Sequence, residues 1–250
     1  MTSIWAKLAH ISLFFIYIMR HNVTILGDKM KSLKLFYLFL SSILCNEVLG
    51  KETKFIDISK DTDRQVIVDK EDGQYLGHPT TTLIENSETI LCVYPKGHGR
   101  GEIVYKRSLD GGQSWSERLK TPMTWNSSKE VPTLFQVKDK KGKERIIMFS
   151  GLYPIRMATT ENNGKTWSEL HPIGNFGGIV AMGTMIQDMK NPGHYRALFH
   201  DDGRFISDKP KKQNPTVFTL YSCLSTDGGV SWQKPISIFS SSLVHLCEPG

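Results

Sequence analysis

The sequence predicts an all-β protein built from repeated antiparallel sheets, and two observations carry this prediction. From residue 51 onward, short runs of β-branched and aromatic residues alternate with Gly, Asn, Asp and Pro, without a long helical period. In addition, one eight-residue pattern occurs three times, starting at residues 108, 160 and 225, so its spacings are 52 and 65 residues. Such self-similarity is typical of propellers and other repeat arrays.

The repeated pattern reads Ser or Thr, any residue, Asp or Asn, any residue, Gly, any residue, Ser or Thr, and Trp. These are turn residues, because a short acceptor such as Asp110 bonds nearby backbone N–H groups and the glycine permits a conformation that a Cβ would penalise. The indole of Trp115 can then cover the turn, with its N–H reaching a carbonyl. Each copy therefore predicts a hairpin corner.

The composition excludes several other classes of protein. The 250 residues can bury a sizeable core, and the formal charge of +6 comes from Lys and Arg scattered among acidic residues. The basic runs at 138–143 and 209–212 therefore predict solvated hairpin loops, and no nucleic-acid partner is expected. The four cysteines form no Cys-x-x-Cys pair and no His/Cys cluster, so neither a metal site nor a cofactor is predicted. Cys92, Cys223 and Cys247 lie in apolar runs and predict buried free thiols.

The first 50 residues differ from the rest of the chain. Their apolar stretches at 11–19 and 35–44 are too short for a membrane span of about 20 residues. The basic residues at 31 and 34, followed by the second apolar stretch, are typical of a secretory leader. We predict an upstream extension over 1–29, a signal peptide over 30–50, and a secreted or periplasmic mature chain without a stable membrane span. A lipid anchor at Cys45 is the alternative, but Ile43 and Leu44 before it fit such a site poorly.

Residues 51–250 divide into three units of four predicted strands. In each unit one copy of the eight-residue pattern, called a box below, joins the third strand to the fourth. Closing strands are expected after Trp115 and Trp167. A fourth unit begins near residue 244, and three units cannot close a ring of typically four to eight blades. We therefore interpret 51–250 as the N-terminal part of a propeller, and pairing with another copy of the chain is the alternative. The other predicted strands cover 80–84, 89–94 and 102–107, then 132–137, 144–149 and 155–159, then 179–187, 195–200, 218–224 and 235–239.

On the basis of its three boxes, the chain resembles the sialidase (neuraminidase) family. The Asp boxes, or BNR repeats, of that family mark a six-bladed β-propeller. The resemblance covers residues 70–250 and corresponds to the N-terminal half of such a domain. It implies a retaining exo-α-sialidase, a glycoside hydrolase that removes terminal sialic acid or a related sugar from glycoconjugates. In this family three arginines bind the sugar carboxylate, an Asp is the acid/base, and a Glu activates a Tyr nucleophile. The boxes lie away from that site, so Asp110, Asn162 and Asp227 are interpreted as architectural.

The family's site residues transfer to this sequence only in part. Glu248, in the segment Cys247-Glu248-Pro249, matches the activating glutamate and is the predicted base. His78 stands where the family has the arginine of its Arg-Ile-Pro motif. The loop at 96–102 lacks the expected Asp, but its Arg100 could replace the missing clamp, and His98 or Glu102 the missing acid. A solvated hairpin tip is the alternative for this loop.

Further polar residues are predicted to bind substrate. These are Arg156 in the second unit, and His200, Asp201 and Arg204 after an apolar strand of the third unit. Lys129 and Glu130 could line the same cleft. Ordinary exposed charges and a plain Asp-Gly turn are the alternatives. The pair Gly177-Gly178 could admit a sugar to the backbone or could form a bulge.

The departures from the sialidase pattern leave two other functions open. One is a non-catalytic propeller that binds glycans, which the missing arginine and aspartate would favour. The other is a related propeller hydrolase that acts on a different sugar, with histidines in place of the carboxylate clamp. In each case the expected partner is a glycan or glycoconjugate.

Overall fold

The computed structural model describes residues 55–85, 87–211 and 214–249. Contacts divide the chain into two compact units, residues 1–63 and 64–250. In the first unit, the described residues 55–63 are almost all exposed to solvent. The predicted extension and signal peptide lie outside the described residues. No helix in the described part of the chain has the length and apolarity required to cross a membrane.

The second unit is an all-β structure, which confirms the predicted class. Its described strands form three antiparallel sheets, with strands in chain order within each sheet. The first sheet has β1 (Thr80–Leu83), β2 (Ile90–Pro95) and β3 (Ile103–Ser108). The second has β4 (Pro132–Lys138), β5 (Glu144–Ser150), β6 (Arg156–Thr160) and β7 (His171–Pro172). The third has β8 (Ile179–Gln187), β9 (Tyr195–Asp201), β10 (Phe218–Ser225) and β11 (Ile236–Ser241). All ten bounded strand predictions are confirmed, with ends shifted by no more than two residues.

Consecutive sheets pack face to face, and their first strands approach one another. β1 contacts β4, and β4 contacts β8. Since each sheet begins with its innermost strand and proceeds outward, this is the arrangement of three successive propeller blades. The number of blades in a closed ring stays a prediction.

Two apolar clusters join the sheets. Leu91, Val93 and Ile103 of the first sheet pack against Leu134 and Met148 of the second. A second cluster joins the second and third sheets, and its largest fully buried members are Phe149, Ile155, Met182 and Phe199. Because each strand turns alternate side chains to opposite faces, one sheet can supply both clusters.

The segment before β1 covers the other face of the first sheet. Val68 and Leu76 pack with Trp115 on the buried residues Cys92, Tyr94 and Val104. The Val68 carbonyl accepts a 2.6 Å hydrogen bond from Lys106 Nζ. This segment gives the first blade an apolar partner on the side opposite the second blade.

The closing strands of the first two units differ from the prediction. After Trp115, Ser116 N–H and Leu119 N–H bond the carbonyls of Arg107 and Tyr105, but no strand forms. The Arg107 N–H donates to the Ser116 hydroxyl at 3.0 Å instead of to a backbone carbonyl. In the second unit Ser168 takes the same role for Thr159, and the closing strand is only β7. A serine side chain thus replaces a backbone partner and shortens the ladder in both units.

The three boxes form the predicted turn. Asp110 Oδ1 accepts from the Ser108 hydroxyl at 2.7 Å and from Ser114 N–H at 2.9 Å, and Ser108 Oγ accepts from Gly112 N–H. Bonds from Ser114 and Ser108 lower the pKa of Asp110 to about 2. The indole N–H of Trp115 donates to the Gly112 carbonyl at 3.2 Å, as expected. Asn162 and Asp227 accept equivalent bonds in the other two boxes.

The second and third boxes also dock onto the preceding blade. The Tyr105 hydroxyl of the first blade donates to the Gly164 carbonyl of the second box at 2.7 Å. Buried Arg145 of the second blade donates to the Gly228 carbonyl of the third box at 2.9 Å. Trp167 packs edge to face on Tyr105. The second and third boxes are therefore joints between blades as well as hairpin corners.

The cysteines only partly follow the prediction. Cys92 and Cys223 are buried free thiols, and burial raises their pKa values to about 11 and about 12. Cys247 is a free thiol but is exposed, because residues 242–249 form no strand that would bury it.

Candidate functional site

A pocket of about 300 Å³ lies where loops of all three blades meet. The loops are the β2–β3 hairpin, the entry to β4, the exit of β5, the entry to β8 and the exit of β9. In an antiparallel pair the first strand begins at the same end of the sheet at which the second strand finishes. These loops therefore lie at the same end of their sheets. The pocket is lined by His98, Gly99, Arg100, Lys129, Glu130, Leu152, Ile179, Arg204 and Phe205.

The lining of the pocket is rich in positive charge. Arg100, Lys129 and Arg204 bring three cationic groups, whereas Glu130 brings one carboxylate. Lys129 Nζ donates to the Tyr153 carbonyl at 3.0 Å, and Glu130 Oε1 accepts from Val131 N–H at 2.9 Å. These bonds hold both side chains at the entry to β4.

Arg204 is oriented by its own loop. Its Nε donates to Asp202 at 2.8 Å, and its guanidinium lies 5.0 Å from the centre of the Phe205 ring. The Asp202 carboxylate raises the pKa of Arg204. A guanidinium has five N–H donors, so this arrangement uses one of them and leaves capacity for an anion.

Asp201 shapes the loop that carries Arg204. It is fully buried, and its carboxylate accepts from the N–H groups of Gly203, Phe205 and Ile206 at 2.7–3.2 Å. Burial raises its pKa, against the lowering effect of these bonds. The sequence predicted that Asp201 binds substrate, but the structure places it beneath the loop rather than at its surface.

His78 and His98 come together beside the pocket. Their Nε2 and Nδ1 atoms lie 3.4 Å apart, and their rings meet edge to face with centroids separated by 4.6 Å. The ring of Tyr75 lies 5.7 Å from that of His98 and 6.4 Å from that of His78. Both histidines are exposed, and His98 also lines the pocket.

The β2–β3 hairpin ends in a compact loop at residues 96–102. Gly97, Gly99 and Gly101 all have positive φ angles. A Cβ on Gly101 would overlap the Lys96 carbonyl oxygen, so this close approach requires glycine. Lys96 N–H donates to the Glu102 carbonyl at 2.8 Å and closes the turn. The exposed side chain of Glu102 is not part of the pocket lining, in contrast to His98 and Arg100.

Glu248 adjoins the pocket wall through His200. Its N–H donates to His200 Nδ1 at 3.3 Å, so the neutral imidazole carries its proton on Nε2. His200 is buried and pairs in register with Ile179, which lines the pocket. Burial lowers the pKa of His200, whereas Glu248 and Asp202 oppose this effect. Glu248 and His200 themselves are outside the pocket lining.

Arg156 bonds a segment outside the pocket. Its Nη1 and Nη2 donate to the hydroxyl and carbonyl of Ser127 at 3.1 and 2.7 Å. It thereby ties β6 to the 3-10 helix Met123–Ser127 and does not line the pocket. Burial lowers the pKa of Arg156.

The pair Gly177-Gly178 fits the bulge alternative. A Cβ on Gly177 would lie 2.6 Å from the Leu152 carbonyl oxygen, and one on Gly178 would overlap the Phe199 ring. β8 also changes register against β9 between Ile179 and Thr184. The glycines therefore allow close packing of protein segments.

Sequence reasoning missed several residues at the site. Lys129 and Glu130 are predicted to line the cleft, whereas Leu152, Phe205 and Tyr75 are not predicted. The apolar residues Leu152 and Phe205 carry no chemical signature in the sequence. Their place in the pocket depends on contacts between blades.

The chain has similarity to known proteins at the level of structure. No family model and no curated protein sequence matches it. The α-L-arabinofuranosidase of Fusarium graminearum in complex with an iminosugar inhibitor is 14% identical, with a TM-score of 0.46. The match covers 70% of this chain and 52% of that enzyme.

Two other similar structures are arabinanases. The α-L-arabinanase of Penicillium chrysogenum, complexed with arabinobiose, is 13% identical with a TM-score of 0.43, covering 67% of this chain and 50% of that one. An exo-1,5-α-L-arabinanase from a bovine ruminal metagenomic library is 13% identical with a TM-score of 0.39, covering 68% and 62%. None of the three is a sialidase. At these values the resemblances assign no substrate to this chain, which spans about half the length of the first two enzymes.

Proposed function

We propose that the protein is a β-propeller glycoside hydrolase acting on an acidic sugar, with terminal sialic acid as the first candidate. The observation that supports this proposal is the convergence of Arg100, Lys129 and Arg204 in one pocket. The glycosidase class comes from the resemblance of the boxes to those of sialidases.

The charge of the pocket favours an anionic sugar over a neutral one. A sugar carboxylate accepts charge-assisted hydrogen bonds from guanidinium and ammonium groups, and these are about twice as strong as neutral hydrogen bonds. A neutral pentose offers no such anion. Arg100 and Arg204 would thus form the carboxylate clamp, although the family's first arginine is replaced by His78.

Two groups in the pocket can transfer a proton to the leaving oxygen. His98 and Glu130 line the pocket, so they are better placed for this step than Glu102. Glu248 keeps its proposed role as the base that activates a tyrosine nucleophile, which the resemblance to sialidases implies. Its N–H contact with His200 would orient that segment next to the pocket wall.

The discriminating experiment compares two fluorogenic substrates with the full-length protein. We expect release of fluorophore from an α-sialoside and none from an α-L-arabinofuranoside. Glu248→Gln should lower kcat, whereas Arg204→Ala should mainly raise KM. Turnover of the arabinofuranoside without turnover of the sialoside would contradict the acidic-sugar proposal.

A non-catalytic glycan-binding propeller is the second candidate. The observation that favours it is the position of Glu248 and Glu102 outside the pocket lining. In that case sialic acid should bind in isothermal titration calorimetry and Arg204→Ala should weaken the binding, but no sialoside should be cleaved. Loss of turnover on Glu248→Gln with unchanged binding would rule out this second candidate.

We also propose that the mature chain is secreted or periplasmic. The basic and apolar pattern of residues 30–50 supports this proposal. N-terminal sequencing of protein purified from its source should give a mature start close to Lys51. A start at Met1 would contradict it.

A further inference from the structure

We infer that His78 and His98 form a binding site for a divalent transition-metal ion such as Zn²⁺. The inference goes beyond the proposed sugar chemistry and does not depend on it. It begins from the two facing ring nitrogens, His78 Nε2 and His98 Nδ1, which lie 3.4 Å apart.

This separation matches the edge of a zinc coordination tetrahedron. Two imidazole nitrogens bound to Zn²⁺ at about 2.0–2.1 Å with a tetrahedral angle lie about 3.3–3.4 Å from each other. The two nitrogens therefore already lie at the spacing that one shared ion requires. A hydrogen bond between the rings is the competing explanation of the same distance, and it would require one nitrogen to carry a proton.

The local backbone brings the two rings to this position. His78 has a positive φ of 54°, and His98 lies between Gly97 and Gly99, which have φ angles of 144° and 77°. The Tyr75 ring packs beside both imidazoles. Both histidine side chains are exposed, so an ion can reach them from solvent.

Two imidazole ligands leave coordination positions for water or for a ligand oxygen. Among the described residues there is no group of three or more His, Cys, Asp or Glu side chains arranged to hold a metal. The site is therefore an open one, and it shares His98 with the cationic pocket. The sequence predicted no metal site because the two histidines are 20 residues apart and match no spaced ligand motif.

The two imidazole ligands indicate which metal ions this site should bind. Imidazole nitrogen binds Zn²⁺, Cu²⁺ and Ni²⁺ well, whereas Ca²⁺ and Mg²⁺ prefer oxygen ligands. We therefore expect Zn²⁺, added as a simple salt, to bind with a stoichiometry of one at this site, and Ca²⁺ not to bind there.

The test is isothermal titration calorimetry of Zn²⁺ into full-length, tag-free protein from which metal has been removed. His78→Ala and His98→Ala should each weaken this binding at least about tenfold, since each removes a ligand and loss of even an outer-shell partner costs 10–100-fold. His171→Ala is the matched control, because His171 is an exposed histidine on β7, and it should leave the affinity unchanged.

A second measurement on the unmodified protein makes the result independent of variant folding. Nitrogen-detected NMR of the imidazoles should show Zn²⁺-dependent shifts at Nε2 of His78 and Nδ1 of His98. Unchanged Zn²⁺ affinity in both variants, or shifts confined to other histidines, would overturn the inference. Because no sugar is present, failure here leaves the sialoside experiment unaffected.

Discussion

Arg204 is the residue on which the proposed anion pocket most depends. Asp202 orients its guanidinium through Nε, and the buried carboxylate of Asp201 fixes the loop beneath it. The position of Arg204 is therefore set by two acidic residues that need not touch the sugar.

We predict that Arg204→Ala lowers the affinity for free sialic acid by about tenfold or more, because a hydrogen bond to a charged group contributes about 1.5–3 kcal/mol. Arg204→Lys keeps the charge but loses the planar fork, so it should recover only part of the affinity. Arg156→Lys is the matched control, since Arg156 bonds Ser127 outside the pocket. Isothermal titration calorimetry measures all three, and equal losses at 156 and 204 would contradict the assignment.

The burial of His200 should make the stability of the folded protein depend on pH. Burial lowers the pKa of this side chain below the ordinary value, so the folded protein disfavours the imidazolium form. The unfolded chain binds this proton at a pKa of about 6.5, so it holds more protons than the native state as pH falls through that value. The free energy of unfolding should therefore decrease between pH 7 and pH 5.

Urea denaturation at several pH values tests this dependence. His200→Gln should reduce the slope of unfolding free energy against pH, whereas the exposed control His171→Gln should retain it. An unchanged slope in His200→Gln would show that other groups produce the effect.

The second and third boxes act as joints between blades. Gly164 of the second box faces the first blade, where Tyr105 donates to its carbonyl. Its φ is +75°, and a Cβ there would overlap the Tyr105 hydroxyl and lie 2.7 Å from Leu91 Cδ1. Gly142 also has a positive φ, of +84°, but a Cβ there would meet no atom within 4 Å.

These two glycines form a matched pair. Gly142→Ala should cost about 1–2 kcal/mol of stability from backbone conformation alone. Gly164→Ala should cost about 1–3 kcal/mol more, because the new methyl group also overpacks the joint. Urea denaturation gives both values. Adding Tyr105→Phe should make the double variant less destabilised than the sum of the single variants, since the phenyl ring removes the overlapping hydroxyl. Equal costs at 142 and 164 would contradict the joint.

The long strands and the short closing segments differ in how well the sequence predicts them. Apolar runs flanked by turn residues predict the first and last residues of β2, β5 and β9 to within one residue of those observed. The short closing segments were not predictable in the same way. There the hydroxyls of Ser116 and Ser168 replace backbone acceptors, and a serine after tryptophan does not reveal which partner it will choose.

The formation of the pocket depends on the stacking of the blades. Sequence singled out His78, His98, Arg100 and Arg204, and the structure places all four in or beside one region. It could not separate them from Arg156 or Glu102, because only the packing of one sheet on the next decides which loops converge. For the same reason Leu152 and Phe205 went unnoticed.

The net charge of the molecule is too small to explain attraction of an anionic sugar by itself. The first 50 residues hold 5 of the 31 basic and 2 of the 25 acidic residues, so residues 51–250 carry a formal charge of only +3. Any strong salt dependence of sugar binding must therefore come from the local cluster in the pocket. Its three cationic groups lie in loops of different blades, and they act together only when the blades are stacked.

We predict that affinity for free sialic acid falls as salt is raised from 0.1 M to 1 M, because the screening length shortens from about 10 Å to about 3 Å. The methyl ester of sialic acid has the same ring without the negative charge, so it should bind more weakly and with little dependence on salt. Calorimetric titration of both ligands at the two salt concentrations measures the difference. If the acid and its ester bound alike and responded alike to salt, the three cations would not form an anion pocket.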